Sequence, residues 1–526
     1  MSKVFDYNIA KDRLSLKEKL GQLFMPAAFI NDSEEEILRL ERLIQEQQIG
    51  GLCFFHSRAS AATNYEGNQQ VVYNESSFDT LTSLIERYQA VAKYPLIIAI
   101  DAEWGLAMRI ENTPQYPYAI TLGAIDDAEL IFQVGKQIAL DCKAAGIHWN
   151  LSPVVDININ PNNPVIGYRS FGENRELVTK NAIAYVSGTE SEGILTSIKH
   201  FPGHGDTATD SHLGLPLIDK SKEELLQNEL YPFQKLIDKG VDAIMVGHLS
   251  VPALADGKRI PSSISEEIIK GTLRKEMGFK GVIISDALNM HAVSKNYPLP
   301  GELEWLAFNA GNDVLCFSEH VQEGIETILR NASQEQIEES FERVWKLKVK
   351  AFNEHDTSAE LDFNKAGALN RKIAEKGITL LKGHDSDIAN FRDTDYCTLF
   401  LKRFDEHQEQ VKILKAVKRM KSEIRDEKQI LLLLTPPQMK PTNSFGFLKE
   451  EINFINDMIN TKQVVLYHYG NPYALQLFNY EDTLATVVVY QDMKEFQDVA
   501  TAHFLGQFKA KGKMPVTIKS LYHEKL

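Results

Sequence analysis

Residues 199 to 212 read Lys-His-Phe-Pro-Gly-His-Gly-Asp-Thr-Ala-Thr-Asp-Ser-His, three histidines, two aspartates and a lysine within fourteen positions directly after an apolar run. A segment that only closed a core would carry aliphatic residues here, because titratable groups are costly inside a fold unless they are paired. The stretch reads as a reaction centre. His212 stands two residues after Asp210, so a carboxylate of the same loop can orient the imidazole and stabilise its protonated form, a compact acid–base pair at neutral pH. Farther along, Gly281-Val-Ile-Ile-Ser-Asp286 is an apolar strand that ends in a carboxylate. A strand end suits a nucleophile, which must stay ionised and be held close to its target carbon. Capping of a following helix is the structural alternative for the same aspartate.

A metal-dependent hydrolase using His200, His204, Asp206, Asp210 and His212 is the rival chemistry, since all five are competent ligands. The spacing argues against it. Pro202 and Gly203 lie between His200 and His204 and preclude the regular helix that normally brings such a pair onto one face. Neither a metal nor an organic cofactor is expected. Gly203 and Gly205 bracket His204 and mark a tight turn, but the Lys-Ser or Lys-Thr of a phosphate-binding loop is absent.

The elements that must carry these groups alternate regularly. Short apolar runs at Gly50–Phe55, Pro95–Asp101, His148–Ile157, Ile194–Phe201, Ala243–His248, Gly281–Asp286 and Asp313–Phe317 are separated by stretches of helical period. Such a helix is expected over Ser33–Gln47, where Ser33 and Glu36 suit a capping box and Ile37, Leu40, Leu43 and Ile44 share a face. Others are expected over Asp79–Ala92, Asp127–Ala145 and Lys222–Lys239. This β-α order implies a mainly parallel sheet, and the count of units fits a (β/α)8 TIM-type barrel, with an open doubly wound sheet as the alternative. Asp101, Asp156, Lys199 with His200, His248 and Asp286 each fall at or just past the end of a strand. A barrel gathers such ends at one mouth, which favours it over the open sheet.

A polar linker at 353–361 divides a catalytic domain, 1–352, from a smaller α/β domain, 362–526, whose apolar runs begin at Gly377, Cys397, Ile430, Val464 and Thr486. At 526 residues two domains are the natural expectation. A formal net charge of -15 excludes the basic surface that nucleic acid would need. The four cysteines are widely spaced and read as free thiols, mostly buried. No apolar stretch is long enough to span a membrane and no signal segment is evident, so a cytoplasmic location is expected, or a periplasmic one had a leader been removed. The oligomeric state is open.

Together, Leu16-Lys-Glu-Lys-Leu-Gly-Gln-Leu-Phe24, Ile100-Asp-Ala-Glu103, Ser152-Pro-Val-Val-Asp156, Arg169-Ser-Phe-Gly172, the 199–212 loop and Ile284-Ser-Asp286-Ala-Leu resemble the family 3 glycoside hydrolases, and within them the bacterial β-N-acetylglucosaminidases. The resemblance covers most of the first 350 residues and implies a barrel followed by an α/β sandwich. It implies exo-acting, retaining hydrolysis of terminal β-linked N-acetylglucosamine from muropeptides or related glycans. Asp286 would attack the anomeric carbon, and His212, supported by Asp210, would be the acid–base in place of the usual second carboxylic acid. Asp101, Arg169, Lys199 and His200 match residues that hold the sugar, and His248 is a further candidate because it ends a strand. One departure stands out: Glu103-Trp-Gly-Leu106 replaces the Glu-Gly-Gly-Arg of many relatives, which bears on detailed specificity. A β-glucosidase or broad β-hexosaminidase, a phosphate-using enzyme of the same fold, and a glycan-binding protein without turnover are the alternatives.

Overall fold

The computed structural model describes residues 4–57, 73–207, 214–353, 359–402 and 410–519, which form a mixed α/β structure in two compact units. The first unit comprises residues 1–116, 128–157 and 178–366; the second comprises 117–127, 158–177 and 367–526. Two stretches that precede the linker in sequence therefore belong to the second unit.

In the first unit the strands are parallel. β1 (Phe24–Met25) pairs with β10 (Leu315–Cys316), while β2 (Ala27–Phe29), β3 (Gly51–Phe55), β4 (Ile97–Ile100), β5 (Trp149–Asn150) and β6 (Leu195–Thr196) pair in that order. β7 (Ile198–Phe201), β8 (Ala243–Val246) and β9 (Val282–Ser285) form a further set, and single parallel bridges join Val154 to Lys199 and Ile284 to Val314. β4, β8 and β9 are buried along their whole length, as expected of parallel strands covered on both faces. Each such Ile or Val contributes about 1.5–3 kcal/mol through its burial.

The helices follow the reading of the chain closely. Glu34–Gln47 starts at a complete capping box between Ser33 and Glu36, and buries Ile37, Leu40 and Ile44. The expected single helix over Lys222–Lys239 is instead two, Lys222–Gln227 and Tyr231–Asp238. Pro232 explains the break, because it has no N–H to continue the ladder. Glu229 fills the gap, buried and bonded to Lys220 Nζ at 2.6 Å. The strand pair β1 and β2 has no counterpart in the sequence reading: Pro26 splits it, so neither piece is long enough to show a strand period.

The second unit holds a five-stranded sheet in the order β11 (Thr379–Lys382), β15 (Ala485–Val488), β14 (Gln463–His468), β13 (Gln429–Leu434) and β12 (Cys397–Leu401). All neighbours are parallel except β11 with β15. Ile430, Leu432 and Leu434 on β13 pack into a core with Phe454, Ile455 and Met458 of the helix Lys449–Thr461. Residues 354–358 of the expected linker lie outside the described residues. The cysteines are free, with Cys53, Cys142 and Cys316 buried and Cys397 half-buried. Among the described residues no helix is long and apolar enough to cross a membrane.

Candidate active site

The end of β4 and a lysine within β7 bring the first cluster together. Asp101 follows β4, and its Oδ1 accepts from Lys199 Nζ on β7 at 2.7 Å, while Oδ2 accepts from Arg109 Nη2 at 3.0 Å. The same lysine lies 2.9 Å from Glu103 Oε1. Lys199 is only 2% exposed, so a single partner would leave it poorly compensated; two carboxylates surround it. Burial by itself raises the Asp101 pKa, but Lys199 and Arg109 outweigh it and hold the carboxyl down at about 2. Arg109 is fixed in turn by stacking over the Phe55 ring, 3.6 Å from its centroid.

Asp156, past β5, buckles the histidine loop. It is buried, accepts the backbone N–H of His204 at 2.7 Å and that of His200 at 3.2 Å, and meets His200 Nδ1 at 2.7 Å. Burial pushes its carboxyl up, and His200, with the His204 contacts, overrides this and holds it below the ordinary range. The sequence places Asp156 among the mouth residues; the structure gives it the task of orienting His200. His204 is held through Nδ1 by Thr207 Oγ1 at 2.7 Å.

Asp286 closes β9. Its N–H donates to Val246 O at 2.9 Å, and its Oδ1 accepts from the N–H of Ala287 at 2.8 Å. Desolvation opposes ionisation, but His248, His200, the Ala287 N–H and Lys199 together lower the pKa, so the carboxylate is ionised at neutral pH. His248 meets Ala287 O through Nε2 at 2.9 Å and Ser263 Oγ through Nδ1 at 2.7 Å. A carbonyl only accepts, so Nε2 carries a proton. Both ring nitrogens are thus engaged with the protein beside Asp286.

Asp101, Lys199, His200, His248 and Asp286 are therefore linked electrostatically; Asp101, His248 and Asp286 follow β4, β8 and β9, whereas Lys199 and His200, expected at a strand end, lie inside β7. Arg169 lies in a short 3-10 turn, Gly167–Arg169, of the second unit, where Nη1 donates to Val165 O at 3.2 Å. Asp210 and His212 lie outside the described residues. Of the remaining metal-ligand candidates, Asp206 pairs with Lys220 at 2.7 Å, and among the described residues no group of three or more His, Cys, Asp or Glu is placed to hold a metal ion. Glu103 and Arg109 went unrecognised as site residues in the sequence. Arg109 stands three positions beyond Leu106, in a loop where no spacing signals that it returns to Asp101.

Residues 15–347 match the glycosyl hydrolase family 3 N terminal domain, and the chain belongs to that family. A β-hexosaminidase A of Pseudoalteromonas piscicida is 34% identical over 341 residues, covering 59% of this chain and 55% of that protein. A β-hexosaminidase of Neisseria meningitidis serogroup C is 37% identical over 250 residues, covering 46% of this chain and 68% of the relative. Among solved structures, a glycoside hydrolase family 3 β-N-acetylglucosaminidase from Paenibacillus sp. str. FPU-7 superposes with a TM-score of 0.78 at 27% identity, covering 96% of this chain and 99% of that one. The match thus spans little more than half the length of the Pseudoalteromonas relative.

Proposed function

We propose that the chain is a retaining exo-β-N-acetylglucosaminidase that releases terminal β-linked N-acetylglucosamine from muropeptides or related glycans, on a (β/α)8 barrel whose mouth carries the site. The observation that supports this reading most is the ionised Asp286 at a strand end beside the Asp101, Glu103, Lys199 and Arg109 cluster. The names of the relatives, β-hexosaminidases and a β-N-acetylglucosaminidase, supply the sugar.

In this mechanism Asp286 attacks the anomeric carbon. Its Oδ1 already accepts the Ala287 N–H, which leaves Oδ2 for the bond to carbon. His212, kept basic by Asp210, protonates the leaving oxygen, then deprotonates the water that opens the glycosyl-enzyme. Asp101 accepts sugar hydroxyls while Lys199 and Arg109 keep it ionised, and His200 is a further sugar contact; Arg169 is assigned to the sugar by the family resemblance alone. His248 acts on Asp286 electrostatically, holding it ionised. The catalytic domain is taken as 1–352, with the 362–526 domain following the linker.

Initial rates on an aryl N-acetyl-β-glucosaminide and the matching aryl β-glucoside, with and without EDTA, test the reading. Turnover of the glucosaminide alone, indifferent to EDTA, is the expected result. Preference for the glucoside would move the chain to a β-glucosidase, and loss of activity in EDTA would restore the metal reading.

A further inference from the structure

We propose that Asn150 and Tyr185 are positioning residues for sugar recognition, holding the Ala102–Glu103 backbone so that the Asp101 and Glu103 carboxylates stand where the sugar meets them. The inference rests on the reading above, in which Asp101 contacts substrate.

The backbone ladder between β4 and β5 pairs Ala99 with Trp149 and Ile100 with Asn150, and Ile100 O accepts the N–H of Leu151 at 2.9 Å. Beyond Ile100 the chain leaves the ladder, and Asp101 is the first residue out. The Asn150 side chain takes over there: Oδ1 accepts from Ala102 N–H at 3.1 Å and Nδ2 donates to Ala102 O at 3.2 Å. An amide sets an acceptor and an NH2 donor in one plane, so with one N–H it copies the backbone partner that the ladder no longer supplies, and the second N–H remains for another acceptor. Asp101 is thereby pinned on both sides, through Ile100 by main chain and through Ala102 by a side chain.

Tyr185, from the helix Arg175–Glu190, adds the next bond. Its hydroxyl donates between Ala102 O at 3.3 Å and Glu103 O at 3.2 Å, and accepts from Ser152 Oγ at 3.1 Å and Asn150 Nδ2 at 3.4 Å. Asn150 is 0% and Tyr185 1% exposed, so neither reaches a ligand. A buried amide and phenol are costly for packing alone, and here the amide bonds both backbone groups of Ala102 while the phenol shares its proton between two carbonyls of the same segment. Displacing the segment by a fraction of an ångström would separate Asp101 or Glu103 from Lys199, now at 2.7 and 2.9 Å.

The test is Tyr185→Phe in the full chain, assayed on an aryl N-acetyl-β-glucosaminide alone and in an Asp101→Asn background. We expect KM to rise about threefold to tenfold, one hydrogen bond's worth, with kcat per folded molecule within about twofold. In the Asp101→Asn background the same change should leave kcat/KM within about twofold, because a residue acting through Asp101 has nothing left to position. Asn150→Asp, which keeps shape and acceptor but loses the donor, should behave likewise; should it not fold, Tyr185→Phe decides. An unchanged KM, or losses that multiply independently across the two sites, would overturn the positioning role while leaving the proposed function intact. A wild-type chain inert toward the glucosaminide would overturn the function, and this role with it.

Discussion

Asp286 is supported by neighbours that favour its charge, and its Oδ1 is engaged by the Ala287 N–H, which assigns Oδ2 to the proposed attack. Asp286→Asn should therefore lower kcat by about 10⁴-fold or more with little change in affinity for the product sugar, as measured by steady-state kinetics and calorimetry. An unchanged rate would remove Asp286 from the nucleophile role. His212→Ala addresses the acid–base step separately. Hydrolysis of a sugar aglycone should fall by about 10²-fold or more, whereas an activated aryl glycoside, whose leaving group needs no proton, should lose far less in its bond-breaking step. Equal losses in glycosylation rate, read by pre-steady-state kinetics, would count against acid catalysis by His212.

Elements determine how precisely such residues are presented, and the histidine loop shows it at Gly203. Its φ is +121°, and a Cβ there would meet Glu229 Cβ at 2.8 Å. Gly203→Ala should cost about 1–3 kcal/mol in a thermal or urea melt, and should also lower kcat/KM through displacement of His200 and His204. Most of this framework was legible in the chain, because β4, β8 and β9 are unbroken apolar runs and Asp101 and Asp286 follow the ends of β4 and β9, whereas Lys199 lies inside β7 and not at its end. β1 and β2 were not, since Pro26 divides them. Glu103 and Arg109 were also hidden: they stand in a loop after β4, where no period marks a side chain that folds back on Asp101. Asp156 was legible as a polar residue after an apolar run, but its role in holding two backbone N–H groups and one imidazole follows from a turn that no spacing rule encodes.

Two buried ionisable groups give the whole molecule a characteristic response to pH. Burial raises the Asp141 carboxyl to about 7 despite the Tyr116 hydroxyl bonded to it at 2.7 Å, and burial lowers the Lys348 ammonium to about 7. Between about pH 4 and 7 the folded state keeps a proton on Asp141 that the unfolded chain releases, so this group's contribution to stability falls as pH rises. Between about pH 7 and 10 the unfolded chain keeps a proton that folded Lys348 has lost, so that contribution grows with pH. Asp141 thus costs most at and above about pH 7 and Lys348 at and below it, so their combined cost is greatest near neutrality. Lys348→Met should raise Tm at pH 6 to 7 and progressively less toward pH 10; Asp141→Asn should raise it above pH 7 and much less at pH 4. Melts across this range check both slopes, and a pH-independent difference would refute the assignment.

The sugar cluster itself is balanced, two carboxylates against Lys199 and Arg109, so the formal charge of -15 is carried elsewhere on the chain. Under the proposed function, an acidic glycopeptide would cross a field of its own sign before it meets this balanced cluster, and its encounter rate would depend on the solvent's ions as much as on the site. Raising the salt from about 20 to 300 mM should therefore increase kcat/KM for such a glycopeptide a few-fold while leaving an uncharged aryl glycoside unmoved.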